Sequence, residues 1–366
     1  MATHSLSETR AGWLVVLGSI VGVLFAVGLI NYLQTRWPAI ATDPAFFQHT
    51  GWYILQGGVP YVDVWDVNPP VPFAITAVLA VFSGGNMLVL HALGTALTVL
   101  VAATSILLVG WVAYLVTEKH VAAIAAGLTM LIVPELLVLS LEGVRAQFYA
   151  LFFGTLSLAL VLRDRPFLAG VAAALSAGSW QSGAVFAPLI VGMAYQRNGG
   201  RGALSAVAGG GVVTGIVVLV FAAVGALVPM VVQSIVAPMS AGGPYTLAER
   251  VYTILLVFGY GAVLFPVALY GWGRAAVRDL GSRWWIPVGG VILLLQVLFV
   301  DLDGSTDAFL FLSFIALGVA VAVERVIGRR SVTTEPTETE RTQRDDNRWA
   351  SVAIILFVAV LILGGA

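Results

Sequence analysis

Long apolar stretches separated by short polar segments follow one another along the chain. Residues 13–33, 87–116 and 203–228 are each long enough to cross the roughly 30 Å hydrocarbon layer as α-helices. Alternating patterns typical of β-strands are absent. The pattern predicts an all-α polytopic membrane protein with about eleven transmembrane helices: 13–33, 87–116, 121–139, 146–162, 167–180, 182–195, 203–228, 252–272, 285–300, 309–323 and 349–366.

The composition supports this class. Of the 366 residues, 59% are hydrophobic and 10% are charged, a balance too apolar for one water-soluble core. Cysteine is absent, which excludes disulfides, thiol catalysis and cysteine-bound metals. The first apolar run is not followed by a small-residue cleavage pattern, so we expect it to be retained as a membrane anchor.

The topology depends on one short apolar segment, Val71–Phe82, which is too short to span a bilayer without severe mismatch. We expect it to lie on the outer surface as a helix. With a cytoplasmic N-terminus, only Arg36, Arg145 and Arg250 of the 18 basic residues then lie outside. This distribution satisfies the positive-inside rule, whereas a crossing at Val71–Phe82 would place most cations outside.

The predicted organisation has three parts. Residues 1–325 form one transmembrane module with a first external loop at 34–86, which contains juxtamembrane helices. A polar tract at 326–348 is expected to be a disordered cytoplasmic linker, because it has almost nothing to bury. Residues 349–366 are expected to form the last transmembrane helix. The protein is therefore predicted to be a multi-pass protein of the cell membrane with its polar site on the outer face.

The first external loop is aromatic, acidic and rich in turn residues. It contains Thr42-Asp43-Pro44, then Gly57-Gly58-Val59-Pro60-Tyr61, and it closes with Asn68-Pro69-Pro70 before the short apolar helix. An external Glu142 and the sequence Trp180-Gln181-Ser182 follow in later spans. This order of motifs resembles the GT-C superfamily of membrane glycosyltransferases, especially archaeal dolichyl-phosphate-mannose mannosyltransferases. The resemblance covers about residues 12–325, and the loop is its most specific part.

The resemblance implies a GT-C-like fold and an inverting transfer of a sugar, with mannose expected, from a dolichyl or polyprenyl phosphate to an external glycan or glycoprotein. In that family an external-loop carboxylate takes the proton of the acceptor hydroxyl, and Asp43 matches it by position. Attack by a neutral hydroxyl needs such a base, and the departing phosphate needs cationic or dipolar stabilisation. Asp43 has a structural alternative, because Asp followed by Pro also suits the start of a helix over 44–56.

Two external arginines are candidates for the lipid phosphate. Arg145 lies three residues after Glu142, so that Arg145 is placed to hold a phosphate while Glu142 binds the acceptor sugar or a divalent cation. The alternative is a local ion pair. Arg250 is the second phosphate candidate, and its alternative is an interfacial arginine whose head reaches water.

Asp63, Trp65 and Asp66 are candidates for binding the sugar or the acceptor, since acids and aromatic rings commonly bind carbohydrates. Alternatively, the two acids cap turns and Trp65 anchors the loop at the headgroup level. A later acidic loop with Asp301, Asp303 and Asp307 lacks the terminal Glu of a calcium loop. No metal is therefore assigned, and the need for a divalent cation stays open.

Two other functional classes fit parts of the pattern. A transporter or flippase of lipid-linked glycans would also need a polar, aromatic-lined cavity, and a non-catalytic relative could serve as an assembly subunit. A proton-coupled carrier is disfavoured, because ionisable residues within the predicted spans are few. Gln181 stands where many relatives of the family carry Lys, which puts a phosphate contact at that position in doubt.

Overall fold

The computed structural model describes residues 3–240, 245–300 and 304–330, and these are α-helical over most of their length. The α-helices are α1 (Thr3–Thr35), α2 (Thr42–Leu55), α3 (Val71–Phe82), α4 (Met87–Thr117), α5 (His120–Thr129), α6 (Glu135–Val138), α7 (Ala146–Leu162), α8 (Pro166–Ser179), α9 (Phe186–Ala223), α10 (Leu227–Val231), α11 (Ala237–Ser240), α12 (Leu247–Phe258), α13 (Leu264–Arg278), α14 (Leu280–Arg283), α15 (Trp285–Phe299) and α16 (Phe309–Arg330). A π-helix, Val232–Val236, joins α10 to α11. Five 3₁₀ segments complete the described helices: Met130–Ile132, Leu139–Glu142, Gln181–Val185, Gly259–Val263 and Ser305–Ala308.

The all-α class is confirmed for the described ranges, but the count of eleven spans is not. Five helices there are long and apolar enough to cross a membrane, or six if a bent pair is counted as one span. The remaining apolar helices have 10–17 residues. One of these shorter helices, α3, has the bounds predicted for the surface helix at 71–82.

The long run α9 is two helices rather than one. Asn198 (φ −131°, ψ 16°) and Gly199 (φ +59°, ψ −156°) leave the helical conformation, and Gly199 occupies a left-handed region that favours glycine. A Cβ at Gly202 would collide with the carbonyl oxygen of Ala194, so the chain turns back sharply. The halves, 186–197 and 200–223, correspond to the predicted spans 182–195 and 203–228.

The second half of α9 packs tightly against α8. A Cβ at Gly170 would collide with the carbonyl oxygen of Ala206, and a Cβ at Gly209 would collide with that of Phe167. Neither site has room for a larger side chain. Small residues at such interfaces let helix backbones approach closely, which supplies packing energy where water provides no hydrophobic drive.

The bent pair lies next to the candidate site. Residues 120–132 and 135–142 form helices that meet at an angle of 80°. The break falls at Val133-Pro134, where Pro134 lacks the N–H needed to continue the helical hydrogen bonds. The second arm therefore runs across the end of the bundle and delivers Glu142 to it.

Contacts between distant segments sort the loops into two ends. At the first end, which we call the outer end, contacts join Asp43 to Arg145, Gln147 to Asp307, Gln181 to Val67 and Gln233 to Tyr61. At the second, inner end, contacts join Asp164 to Arg197, Gln196 to Trp284, Trp111 to Arg163, and Arg283 to both Val116 and Glu324. Loops predicted to be external meet at the first end and loops predicted to be cytoplasmic meet at the second.

Two predicted parts lie at or beyond the last described residues. The helix α16 continues to Arg330, past the module boundary predicted at residue 325. The rest of the predicted linker, 331–348, and the predicted last span, 349–366, lie outside the described residues, as do Asp301 and Asp303.

Candidate functional site

Asp43 lies in the first turn of α2, not at its N-cap as the sequence suggested. The N-cap is Ala41, in an extended conformation, and the first helical hydrogen bond runs from Ala45 N–H to the Ala41 carbonyl at 3.0 Å. Pro44 is accommodated because the first N–H groups of a helix have no intrahelical partner. The alternative interpretation of Asp43 as the helix cap is therefore wrong, and its carboxylate accepts no backbone hydrogen bond among the described residues.

The carboxylate of Asp43 contacts Arg145 instead. Arg145 Nη1 donates to Asp43 Oδ2 at 2.5 Å, and Arg145 Nη2 donates to Glu142 Oε2 at 2.9 Å. Arg36 lies 3.9 Å from the other oxygen of Glu142. Two loops separated by 102 residues thus meet in one group of charges. The local pair between Glu142 and Arg145 exists, but it is part of a larger cluster.

The members of this charge cluster differ in exposure. The side chain of Asp43 is 60% exposed, whereas those of Arg145 and Glu142 are 13% and 17% exposed. Arg145 Nε is buried and has no hydrogen-bond partner among the described residues. Chemically, the cluster combines a carboxylate that solvent or a substrate can reach with a guanidinium that retains donor capacity.

The turn before Arg145 is fixed by close packing. Gly143 has a positive φ of 120°, and a Cβ there would lie 2.9 Å from Pro44 and 3.5 Å from the ring of His91. His91 is held in turn by a 3.2 Å hydrogen bond to Tyr32 Oη and by stacking on Trp37. A small pocket beside this turn is lined by Pro44, Gln48, Thr76, Leu90, His91, Gly94, Gly143 and Val144.

The second predicted group forms the turns of the external loop. Asp63 Oδ2 accepts a 2.7 Å hydrogen bond from Val59 N–H. Asp66 Oδ1 accepts from both the backbone N–H and the side-chain amide of Asn68, at 2.8 and 2.7 Å. The turn-capping interpretation is therefore realised for both acids. Trp65, between them, is 67% exposed.

Asp66 is unusual among the acids of the loop. It is 5% exposed, and its Oδ2 has no hydrogen-bond partner among the described residues. Burial raises the pKa of Asp66, hydrogen bonds from Asn68 lower it, and repulsion from Asp43 raises it further. The two carboxylates are thus near enough to interact electrostatically, although among the described residues no hydrogen bond or ion pair joins the loop turns to the charge cluster.

Two glutamines outside the predicted site residues join the loop to the rest of the protein. Gln233 Nε2 donates to the Tyr61 carbonyl at 2.7 Å, and its Oε1 accepts from Asp66 N–H at 3.0 Å. Gln181 Nε2 donates to the Val67 carbonyl at 2.6 Å and to that of Ser234 at 3.1 Å. In the sequence, the contact at Gln233 is indicated only by the fact that Gln233 and Ser234 are polar residues within the otherwise apolar run 227–236.

Arg250 differs from the prediction of a snorkelling side chain. It is 5% exposed, so its head does not reach water, and its Nη1 has no hydrogen-bond partner among the described residues. In the part of the chain that the structure describes, Arg250 shares no ion pair with the charge cluster. Asp307 is also at the outer end, where its Oδ1 accepts from Gln147 on α7 at 3.3 Å and its Oδ2 from Gly304 N–H at 3.0 Å.

No metal centre is built from the described part of the chain, in which no three His, Cys, Asp or Glu side chains are grouped to hold an ion. The two acids nearest the predicted site, Asp43 and Glu142, share the guanidinium of Arg145. A bound cation there would meet that positive charge. As they stand, these carboxylates do not fit a divalent ion.

Comparisons with known proteins identify related sequences. The model of a family described as DolP-mannose mannosyltransferase matches residues 57–220. A dolichol phosphate-mannose mannosyltransferase of Haloferax volcanii is 27% identical over 367 aligned positions, covering 99% of this chain and 76% of that protein. The predicted resemblance is confirmed. The enzyme class that it implied, a glycosyltransferase, is confirmed with it.

Solved structures show the GT-C-like fold. ArnT from Cupriavidus metallidurans, bound to undecaprenyl phosphate, aligns with a TM-score of 0.63 at 15% identity, covering 97% of this chain and 74% of that one. The oligosaccharyltransferase AglB from Archaeoglobus fulgidus, in complex with an inhibitory peptide and a dolichol-phosphate, aligns at 0.57 with 12% identity. That alignment covers 94% of this chain and about half, 54%, of AglB.

Proposed function

We propose that the protein transfers a sugar, mannose in the first instance, from a dolichyl or polyprenyl phosphate to a glycan or glycoprotein at the outer face of the cell membrane. The observation that carries this proposal is the contact between Asp43 and Arg145 at 2.5 Å. Glycosyl transfer from a lipid phosphate needs a base and a cation side by side. The cluster supplies both at one end of an apolar helical bundle.

The proposed step is a single inverting displacement. The acceptor hydroxyl oxygen attacks the anomeric carbon, and its proton passes to the Asp43 carboxylate. The bond between the anomeric carbon and the phosphate oxygen breaks, and the lipid phosphate leaves with the electron pair. The exposure of the Asp43 side chain, 60%, supports its role, because an acceptor must reach the base directly.

Arg145 is the proposed partner of the departing phosphate. Its guanidinium is mostly buried, where a charge acts more strongly than in water, and Nε has no partner among the described residues. Arginine presents five N–H donors in a planar fork that suits phosphate oxygens. When the phosphate binds, the contact between Arg145 and Asp43 is exchanged for one with the phosphate, which frees the base.

The remaining assignments follow the same division. Arg250 is proposed as a second cation for the lipid phosphate, because its buried Nη1 lacks an acceptor in the described part of the chain. Glu142, Asp63, Trp65 and Asp66 are proposed to bind the sugar or the acceptor. The names of the Haloferax relative and of the matched family support mannose on a dolichol phosphate as the donor.

The direct test is sugar transfer by the purified protein in proteoliposomes. Donors would be polyprenyl and dolichyl phosphates carrying radiolabelled mannose or glucose, with short glycans or glycopeptides as acceptors. The proposal predicts labelled product and equimolar lipid phosphate, with mannose preferred. Movement of intact labelled lipid between leaflets without product would instead support a flippase. If no donor in the panel gave product or moved between leaflets, the enzymatic proposal would be overturned and the assembly-subunit alternative would remain.

A further inference from the structure

The external loop contacts the second half of the chain through the π-helix and, at Tyr61, through the ring of Phe221. Its segment 61–68 lies against the π-helix Val232–Val236, and the contact is made by the side chains of Gln233 and Gln181 described above. A π-helix is rare and frequently occurs at functional sites. Here it places Gln233 toward the loop, within a run that is otherwise apolar except for Ser234.

The two glutamines use their amides differently. Gln233 uses both ends, since Nε2 donates to the Tyr61 carbonyl and Oε1 accepts from Asp66 N–H. Gln181 is only a donor, to the carbonyls of Val67 and Ser234. Position 233 therefore requires a side chain that has both a donor and an acceptor. At position 181, a side chain with sufficient donors can replace the glutamine.

The loop is rigid between these contacts. Tyr61 has a left-handed φ of 68°, donates its hydroxyl to the Asn68 carbonyl at 2.6 Å, and packs its ring against Phe73 and Phe221. Its ring is buried, and burial raises the pKa of the hydroxyl, so it stays a donor. The glutamine contacts are therefore made to a preformed turn rather than to a flexible chain.

This turn contains the residues that are proposed to bind the sugar. Trp65 is exposed, Asp66 is buried, and Asp66 lies within electrostatic range of Asp43. We infer that Gln233 and Gln181 are positioning residues that hold Trp65 and Asp66 at a fixed place relative to the base Asp43. This inference rests on the proposed function and deepens it, because it assigns the placement of the substrate-binding loop to two neutral amides.

The inference predicts a specific order among substitutions. Gln233→Glu keeps the size and the acceptor but sets a carboxylate against the Tyr61 carbonyl. It should raise the apparent KM for the donor or the acceptor at least tenfold, while kcat changes less than threefold. Gln181→Lys keeps the donors and should stay within about threefold of wild type, whereas Gln181→Glu should behave like Gln233→Glu. Gln56→Glu, at an exposed glutamine of the same loop, is the matched control.

A second measurement reports the contact without catalysis. Because the chain has no cysteine, Val62→Cys gives a single spin-label site, and Val62 is 56% exposed beside Tyr61. The label should become more mobile in Gln233→Glu and Gln181→Glu, and not in Gln181→Lys or Gln56→Glu. Unchanged mobility in the glutamate variants would overturn the inference, even if one of them is too unstable for kinetics.

The kinetic outcomes separate the two proposals. A fall in kcat with unchanged KM in Gln233→Glu would overturn the positioning role while leaving the enzyme assignment intact. Absence of transfer by the wild type would overturn the proposed function and the positioning role with it. In that case the label would still show whether the glutamines hold the loop.

Discussion

Each end of the bundle contains an arginine that donates hydrogen bonds to several acceptors. The two arginines differ in how their N–H donors are paired. At the inner end, Arg283 donates to both oxygens of Glu324, at 2.6 and 3.1 Å, and to the Val116 carbonyl at 2.8 Å. At the outer end, Arg145 donates to one oxygen each of Asp43 and Glu142, and its Nε has no described partner. The inner arginine is committed to the fold, whereas the outer one keeps capacity for a ligand.

The partners differ in the same way. Glu324 is 25% exposed and Val116 lies at the end of α4, so Arg283 fastens one helix terminus to another. Asp43 is 60% exposed on a short surface helix. A charge pair of similar geometry can therefore serve stability in one place and chemistry in another. The exposure of one partner, the carboxylate of Asp43, distinguishes the second case from the first.

Of the effects that compare the two ends through their arginines, the largest is expected on activity at the outer end. Arg145→Gln removes the cation beside the leaving phosphate, so we expect transfer to fall by roughly 10²–10³-fold, as for loss of one preorganised donor. Initial rates in proteoliposomes measure this. The folded state should be retained in a thermal unfolding assay, and a rate within threefold of wild type would contradict the role of Arg145.

A smaller effect, on stability, is expected at the inner end. Arg283→Ala leaves the partly buried Glu324 and the Val116 carbonyl without their donor, which should cost about 2 kcal/mol. Thermal or denaturant unfolding in detergent measures it, with activity per folded molecule unchanged. Arg278→Ala, at an exposed arginine without a described ion pair, is the control and should change neither the stability nor the activity. Equal effects of both variants would contradict the comparison.

The smallest expected effect is a pH dependence from Asp66. Burial raises the pKa of Asp66 above its ordinary value of 3.8, so the folded state binds this proton more tightly than the unfolded state. The contribution of Asp66 to stability is therefore full below about pH 4 and is lost as the pH rises through the folded pKa. Asp66→Asn should lessen the decline of the melting temperature with rising pH. An identical decline in both proteins would contradict this.

Much of the fold could be predicted, because apolar periodicity reports directly on burial in a bilayer. The helix at 71–82 and the turn that divides α9 follow from segment length and from glycine and proline chemistry. The number of true spans could not be predicted in the same way. Several helices, such as α8 and α15, are too short for a simple length criterion and depend on packing against neighbours.

The candidate site was predictable only in part. Asp43, Glu142 and Arg145 are charged residues in otherwise apolar surroundings, which marks them in a sequence, but their contact joins positions 102 residues apart. The glutamines at 181 and 233 are neutral, and their role lies in which backbone groups they meet. The exposed side chain considered for Arg250 was wrong for the opposite reason. A charge near a predicted interface suggests exposure, whereas tertiary packing buries Arg250.

The central claim is that the outer carboxylate is a base, and a matched pair of variants tests it most directly. Asp43 and Asp164 are similarly exposed, at 60% and 58%, and each is paired with an arginine, but they lie at opposite ends of the bundle. Hydrogen bonds from Arg197 lower the pKa of Asp164, so it is a fully charged control at neutral pH.

The measurement is the initial rate of sugar transfer by Asp43→Asn and Asp164→Asn in the same proteoliposome preparation. Asp43→Asn should lower the transfer rate by roughly 10²–10⁴-fold, the range of general-base catalysis, in a folded protein. Asp164→Asn should keep a rate within about twofold of wild type, because loss of an exposed ion pair costs about 1 kcal/mol or less of stability. Equal rates for the two variants would contradict the assignment of the base.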